Sequence, residues 1–428
     1  MPGLQRSLRL FDGLAMVVGI MVGSGIFRTP GLVAQQLGRP WLTFVAWLLG
    51  GVLAFLGALS FAELATRHPR AGGKYVYARE AFGPRAAFVV GWVEALIYCA
   101  AIAAIAVAFA EFAARLLGLP EARTGWLAAT IVALVTGINL LGVTSGRWVQ
   151  NLVTAAKVLA LGGVIVVPLA AGEGAGWRGT LATAPSGFAL FGALAVASQS
   201  VIWTYYGYQE AGKIAEEVVT PERTLPRVFL LGIAIATALY LLLNAAFLHV
   251  LPFDRVAASN LVAGDVATAI FGARGGAVIT ILALLVVLAS LNGNIFVTPR
   301  VVFGLGRDGL GPRALTRVNA GGTPWVAMCL IGTVALLLAA TGTFEHLLAL
   351  AIALILLIDG VAVAALFPLR ARTPAAPFRV PLYPLVPGLF IGVYAALFAG
   401  MVVAQPGLGA LAGAVLAGVY GFSLGIRR

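Results

Sequence analysis

Chemistry in this sequence is confined to a few polar or glycine-rich islands inside long apolar runs. The first is Gly19-Ile20-Met21-Val22-Gly23-Ser24-Gly25-Ile26-Phe27. Each glycine weakens a helix by roughly 1 kcal/mol, so this run frees backbone amides and carbonyls. Freed amides at the start of a half-helix suit an anion, and freed carbonyls suit a cation. A Gly-xxx-Gly packing face is the alternative for the glycines alone, although Gly23-Ser24-Gly25 fits it poorly. The second island, Trp203-Thr204-Tyr205-Tyr206-Gly207-Tyr208-Gln209-Glu210, places polar aromatics and a glycine in mid-run. The third is Lys157, a lysine set inside an apolar span. A lysine at a membrane helix centre costs about 2.5–3.5 kcal/mol on insertion scales, so a functional role is expected. Its alternative is a stem that snorkels to the nearby interface.

Glu94, Glu111, Glu210 and Asp359 also fall inside apolar runs, each as a proton carrier or as a satisfied helix–helix hydrogen bond. Other chemistries are missing from the pattern. His68, His249 and His346 lie near span ends, and Cys99 and Cys329 are far apart, so no metal and no cofactor is expected. No Gly-x-x-x-x-Gly-Lys-Ser/Thr loop offers ATP a phosphate cradle. No nucleophile–base or paired-carboxylate constellation points to an enzyme.

The elements that must hold these islands are membrane helices. Of 428 residues, 61% are apolar and only 10% are charged, and the mean hydropathy is +1.00. A soluble domain carries about 25% charged residues, and disorder needs low hydrophobicity, so both classes are excluded. The net charge of +12 does not mark nucleic-acid binding, because the basic residues sit singly or in small groups between apolar runs. The two cysteines lie inside apolar runs and make no disulfide framework. About twelve segments reach the roughly 20 apolar residues a spanning helix needs. They are 12–36, 41–66, 86–116, 125–143, 149–170, 189–213, 227–250, 272–303, 323–341, 345–368, 385–403 and 406–425. The first runs past Pro30 without a small-residue cleavage pattern, so no cleavable signal peptide is expected. With both termini on one side, twenty basic residues fall on that side and seven on the other. The positive-inside rule then places both termini in the cytoplasm of a multi-pass protein of the cell (inner) membrane. The chain divides into an N-terminal tail (1–11), a first repeat (12–170), a second repeat (189–368) and a terminal pair (385–425). Each repeat contains an interrupted helix, the pattern of an inverted-repeat carrier.

Four stretches resemble the amino acid–polyamine–organocation superfamily, and within it the bacterial relatives of L-type amino acid transporters. They are Gly19–Phe27; Glu63-Leu64-Ala65 through Pro69-Arg70-Ala71-Gly72-Gly73-Lys74-Tyr75-Val76-Tyr77 to Phe82-Gly83; Glu216-Glu217 through Pro221-Glu222-Arg223 to Pro226; and Ser290-Leu291-Asn292-Gly293 through Pro299-Arg300 with Arg307-Asp308-Gly309. The likeness covers residues from about 10 to 370. It implies an all-α LeuT-type fold of 5+5 helices in inverted repeat, with helices one and six broken and two helices peripheral. It also implies alternating-access transport of amino acids across the bilayer, without nucleic acid and without an obligate accessory subunit.

An α-amino acid must have both its charges neutralised in a low dielectric. Amides around Ser24 and Gly25, with Gly23, would hold the carboxylate, and carbonyls near Ile20, Met21, Trp203 and Tyr206 the ammonium; the resemblance assigns the same roles. Trp203, Tyr205, Tyr206, Gly207 and Tyr208, with Tyr98, would shape the side-chain pocket, with core packing as the alternative for at least half the aromatics. The L-type pattern has a small or acidic residue at Tyr206 and Trp at Tyr208. Tyr206 would therefore shrink the pocket and favour small or medium neutral amino acids. The absence of an acidic residue in the first motif disfavours cationic amino acids and polyamines, which a proton-coupled carrier could otherwise take; a channel is the remaining alternative. The resemblance places Lys157 where sodium-coupled relatives bind sodium, with Gly19 carbonyl and Ser290 as partners. Sodium coupling is then not expected, and exchange or proton-linked uptake remains.

Overall fold

The computed structural model describes residues 6, 8–23, 25–70, 72–120, 123–140, 146–341 and 343–424. Backbone polar groups in a bilayer must pair within their own segment, and the chain answers with helices almost throughout. In order they are α1 (Leu10–Met21), α2 (Gly25–Leu37), α3 (Pro40–Arg67), α4 (Lys74–Phe82), α5 (Pro84–Leu117), α6 (Thr124–Leu140), α7 (Gly146–Ala171), α8 (Ala189–Tyr205) and α9 (Glu210–Lys213). Then follow α10 (Pro221–Val250), α11 (Phe253–Ala258), α12 (Val262–Arg307), α13 (Trp325–Thr341), α14 (Phe344–Ala364), α15 (Leu366–Arg372), α16 (Leu385–Ala404) and α17 (Pro406–Ser423).

Proline sets several of the starts. Pro40, Pro84, Pro221 and Pro406 open α3, α5, α10 and α17, where the missing N–H costs nothing and the fixed φ suits the first turn. α5 ends at Gly118 in the left-handed conformation (φ 65°), which glycine adopts without a Cβ penalty. Gly272 (φ 71°, ψ −169°) breaks α12, so that its long second part alone crosses the bundle.

Among the described residues, seven helices are long and apolar enough to cross a membrane, and α1 with α2 make an eighth span bent by 45°. Four shorter apolar helices accompany them: α6, the Lys157–Ala171 part of α7, α8 and α13. α8 is short because the chain leaves the helix at Tyr206. Two helices were not expected from the sequence: α4 inside the loop after α3, and α11 before α12. α5 is the central post, with 89% of its apolar window buried, and packs against α4, α6, α12, α13, α14 and α17. α17 lies at the edge with 11% buried, and its Phe422 is among the apolar side chains left outside the bundle, where lipid would cover them. Leu8 bridges to Val218, with Leu8 N donating to Glu217 O at 3.0 Å, so the N-terminal segment is tied to the chain just after α9.

Candidate functional site

Two helix breaks face each other at the centre of the bundle. α1 ends at Met21, and Gly23 N turns back to donate to Met21 O at 2.9 Å. A Cβ on Gly23 would come within 2.7 Å of Ser290 Oγ, and one on Gly25 within 2.8 Å of Thr204 Oγ1. Only glycine lets the broken helix approach α12 and α8 this closely. Across from it, Gly207 takes φ 126° and lies against Ile20 and Met21, where a Cβ would meet Ile20 Cγ2 at 3.0 Å. Both the conformation and the contact require glycine.

A cavity of about 40 Å³ lies between the breaks. That is room for roughly three water-sized groups. Ile20, Met21, Gly23 and Gly25 line it from one side, Trp203, Tyr206 and Gly207 from the other. Tyr98, Ala101 and Ile105 of α5 and Ser290 and Asn294 of α12 complete the wall. Among the described residues, no acidic or basic side chain lines it. Ser24 lies outside the described residues.

Two of the expected aromatics turn elsewhere. Tyr205 is buried against Tyr240, with ring centroids 5.1 Å apart, and donates to Trp47 O at 3.0 Å, so it does not line the cavity. Tyr208 packs edge-on to Phe61 on the far side of the break. Lys157 does not snorkel. It is buried and donates to Gly19 O at 3.2 Å and Val22 O at 3.4 Å, both at the end of α1. Gly19 O is the partner expected from the sequence, Val22 O is a further one, and Ser290 stands against Gly23.

Tyr240 is a residue the sequence reading missed. Its hydroxyl lies 2.8 Å from Met21 O and 2.9 Å from Thr204 O, spanning the ends of α1 and α8, and its one proton serves one carbonyl at a time. Met21 O thus has both Gly23 N and Tyr240 Oη upon it. Thr29 and Thr204 add a second tie between the two broken helices at 2.8 Å.

Charged pairs join the elements that carry the cavity wall. On one side, Arg28 of α2 pairs with Glu111 of α5 at 3.3 Å. On the other, Lys74 of α4 pairs with Asp359 of α14 at 2.6 Å and donates to Tyr206 Oη at 2.5 Å. Burial disfavours the Lys74 ammonium, but the facing Asp359 carboxylate, together with Glu94 and Glu210, outweighs it and holds the lysine above its usual range. Nearby, Arg370 binds Glu63 at 2.8 and 2.5 Å while Arg67 holds the same carboxylate, clamping α3 to α15. Among the described residues, no cluster of histidine, cysteine or acidic side chains could hold a metal ion.

A helical membrane bundle that encloses a cavity between two interrupted helices belongs to the transporters, not to the enzymes. The amino acid permease family model matches residues 8–418, and the chain belongs to that family. It is 31% identical over 401 residues to the serine/threonine exchanger SteT of Bacillus subtilis (strain 168), covering 91% of this chain and 89% of that one. It is 31% identical to the human cystine/glutamate transporter over 399 residues, with 90% of this chain and 78% of the relative covered. The mouse b(0,+)-type amino acid transporter 1 is 29% identical over 418 residues, or 94% and 84% of the two chains. Among solved structures, the nucleobase-cation-symport-1 family transporter Mhp1, in a closed conformation with bromovinylhydantoin bound, shares the fold. Its TM-score is 0.60 at 16% identity, over 98% of this chain and 94% of that one.

Proposed function

We propose that this chain carries small or medium neutral L-amino acids across the cytoplasmic membrane by alternating access, without sodium, as an exchanger or a proton-linked carrier. The observation that carries the reading is the cavity itself, small, free of charged side chains and bordered by both helix breaks. A zwitterion brings one positive and one negative group, and backbone dipoles at broken helices neutralise both without a fixed counter-ion. The start of α2 at Gly25 would take the carboxylate, and the carbonyls of Ile20 and Tyr206 the ammonium. Among the described residues, the wall has no acidic side chain, which a cationic substrate would need. The name of the serine/threonine exchanger, among the relatives, supports small neutral substrates and exchange.

The same reading gives the chain twelve spans in two inverted five-helix repeats (12–170 and 189–368) with α16 and α17 outside them. Both termini then face the cytoplasm, where the basic loops lie. The chain works without an obligate accessory subunit. Labelled L-serine uptake by the purified protein in liposomes, challenged with each common amino acid, tests the reading: small neutral competitors should block it, and lysine or putrescine should not.

A further inference from the structure

The bundle buries one group of charges that the cavity wall does not use. Below the break between α8 and α9, five ionisable side chains meet away from solvent: Lys74, Glu94, Glu210, Lys213 and Asp359. Lys74 and Asp359 form one pair at 2.6 Å, and Gln209 Nε2 donates to the second Asp359 oxygen at 2.9 Å. Lys213 stands between two carboxylates, 3.1 Å from Glu210 and 3.2 Å from Glu94, with its ammonium 3.7 Å over the Tyr98 ring. Glu210 also accepts from Tyr98 Oη. Among the described residues, the one ion pair Glu94 makes is its share of Lys213, with the Lys74 ammonium acting on it from further off. Glu94 is fully buried on α5, and neither of its oxygens accepts a hydrogen bond within the described residues.

Three carboxylates therefore face two ammoniums. An unbalanced carboxylate in a low dielectric is costly, and taking up a cation removes the cost. We propose that Glu94 is a proton-binding site of the transport cycle, loaded while the α4–α9 side of the cavity is closed and emptied when that side opens. Protonated Glu94 leaves two balanced pairs, Lys74–Asp359 and Lys213–Glu210. Opening admits water, the carboxyl ionises, and the proton leaves with the substrate. The proton thus moves from water to the Glu94 carboxylate on one side and back to water on the other, with no other bond made or broken.

The groups that face Glu94 agree with this count. α4 adds Lys74 and the Tyr77 hydroxyl, which makes no hydrogen bond among the described residues, and the break adds Tyr206. α9 adds Lys213 and Glu210, and α14 adds Asp359. α12 packs on α5 through Leu305 and Gly91, and beyond that contact Asp308 is already paired with Arg79 at 2.9 Å. α6 has no titratable residue, α13 only Cys329 and α17 only Tyr420. Among the described residues, none supplies the missing positive charge.

The proposal deepens the carrier reading by naming its coupling ion; it rests on that reading for the cycle, but not for the protonated carboxyl. Infrared difference spectra between neutral and alkaline pH, taken on the purified full-length protein in lipid, report that carboxyl without any substrate. The wild type should show a carboxylic C=O band that Glu94→Gln lacks. A wild type with no such band, or a Glu94→Gln protein that keeps it, would overturn the site; the wild-type spectrum decides even if the variant fails to fold. In proteoliposomes, an inward proton gradient should raise initial L-serine uptake several-fold in the wild type and not in Glu94→Gln. Wild-type uptake that ignores the gradient would overturn the coupling while leaving the carrier reading intact. No saturable wild-type uptake at all would refute the carrier reading instead, with the infrared band still deciding the proton.

Discussion

The Lys157 ammonium lies 3.2 Å from the carbonyl oxygen of Gly19, and so a cation from α7 rests on the C-terminal end of α1. The last carbonyls of any helix lack intrahelical donors, and the negative end of the helix dipole favours a positive charge there. A sodium ion would answer the same need; here a side chain answers it permanently. Lys157→Ala leaves Gly19 O and Val22 O short of a donor, at about 1–3 kcal/mol for each buried group. About 1.4 kcal/mol is a tenfold change in an equilibrium constant, so the variant should transport at least tenfold more slowly. Its apparent substrate affinity should change less, because Lys157 does not line the cavity. Initial rates against substrate concentration separate the two effects, and near-normal rates would return the lysine to a merely structural part.

Gly25→Val should abolish uptake. The added Cβ alone would come within 2.8 Å of Thr204 Oγ1 and 3.0 Å of Thr204 Cα, which is backbone and cannot turn aside. Surface expression and thermal melting of the variant, measured beside its uptake, distinguish a blocked site from a protein that fails to fold.

Tyr206→Gly should enlarge the cavity and admit leucine or phenylalanine while alanine or serine is still taken. The phenol both lines the cavity and accepts from Lys74 at 2.5 Å, so its removal opens space and loosens the closure beneath. A competition panel reads the change; an unaltered profile in the folded variant would show that the ring does not limit substrate size.

How far these features could be read from the sequence depends on how local their cause is. Gly23-Ser24-Gly25 announces a break because a packing face alone fits it poorly, Gly207 does so among polar aromatics in mid-span, and Lys157 announces itself as a lysine set inside an apolar run. The directions of Tyr205, Tyr206 and Tyr208 could not be read, because helical periodicity stops at the break that begins at Tyr206. Tyr240 sits in an unbroken apolar helix, and only the fold shows that its hydroxyl meets both Met21 O and Thr204 O. The partners of Lys74, Glu94 and Lys213 lie on helices far apart in the chain, so their pairing awaited the packing. α4 does not stand out in the sequence because its KYVYAREAF run is too short and polar to mark a span.

The Lys74–Asp359 pair offers a test of the closure. Removing one partner of a buried pair strands the other charge, at about 3–5 kcal/mol, whereas removing both is often near neutral. Lys74→Met should lower the melting temperature of the purified protein sharply. Lys74→Met with Asp359→Leu should recover most of the loss. Equal losses in the single and double variants would mean that the two charges do not depend on each other.

Counterflow addresses the central claim most directly. Purified protein in liposomes loaded with unlabelled L-serine is diluted into labelled L-serine, once in sodium buffer and once in choline buffer. The account predicts saturable accumulation of label in loaded vesicles, little in empty ones, and the same rates in both buffers. Label that enters loaded and empty vesicles alike without saturation, or a strict need for sodium, would contradict it.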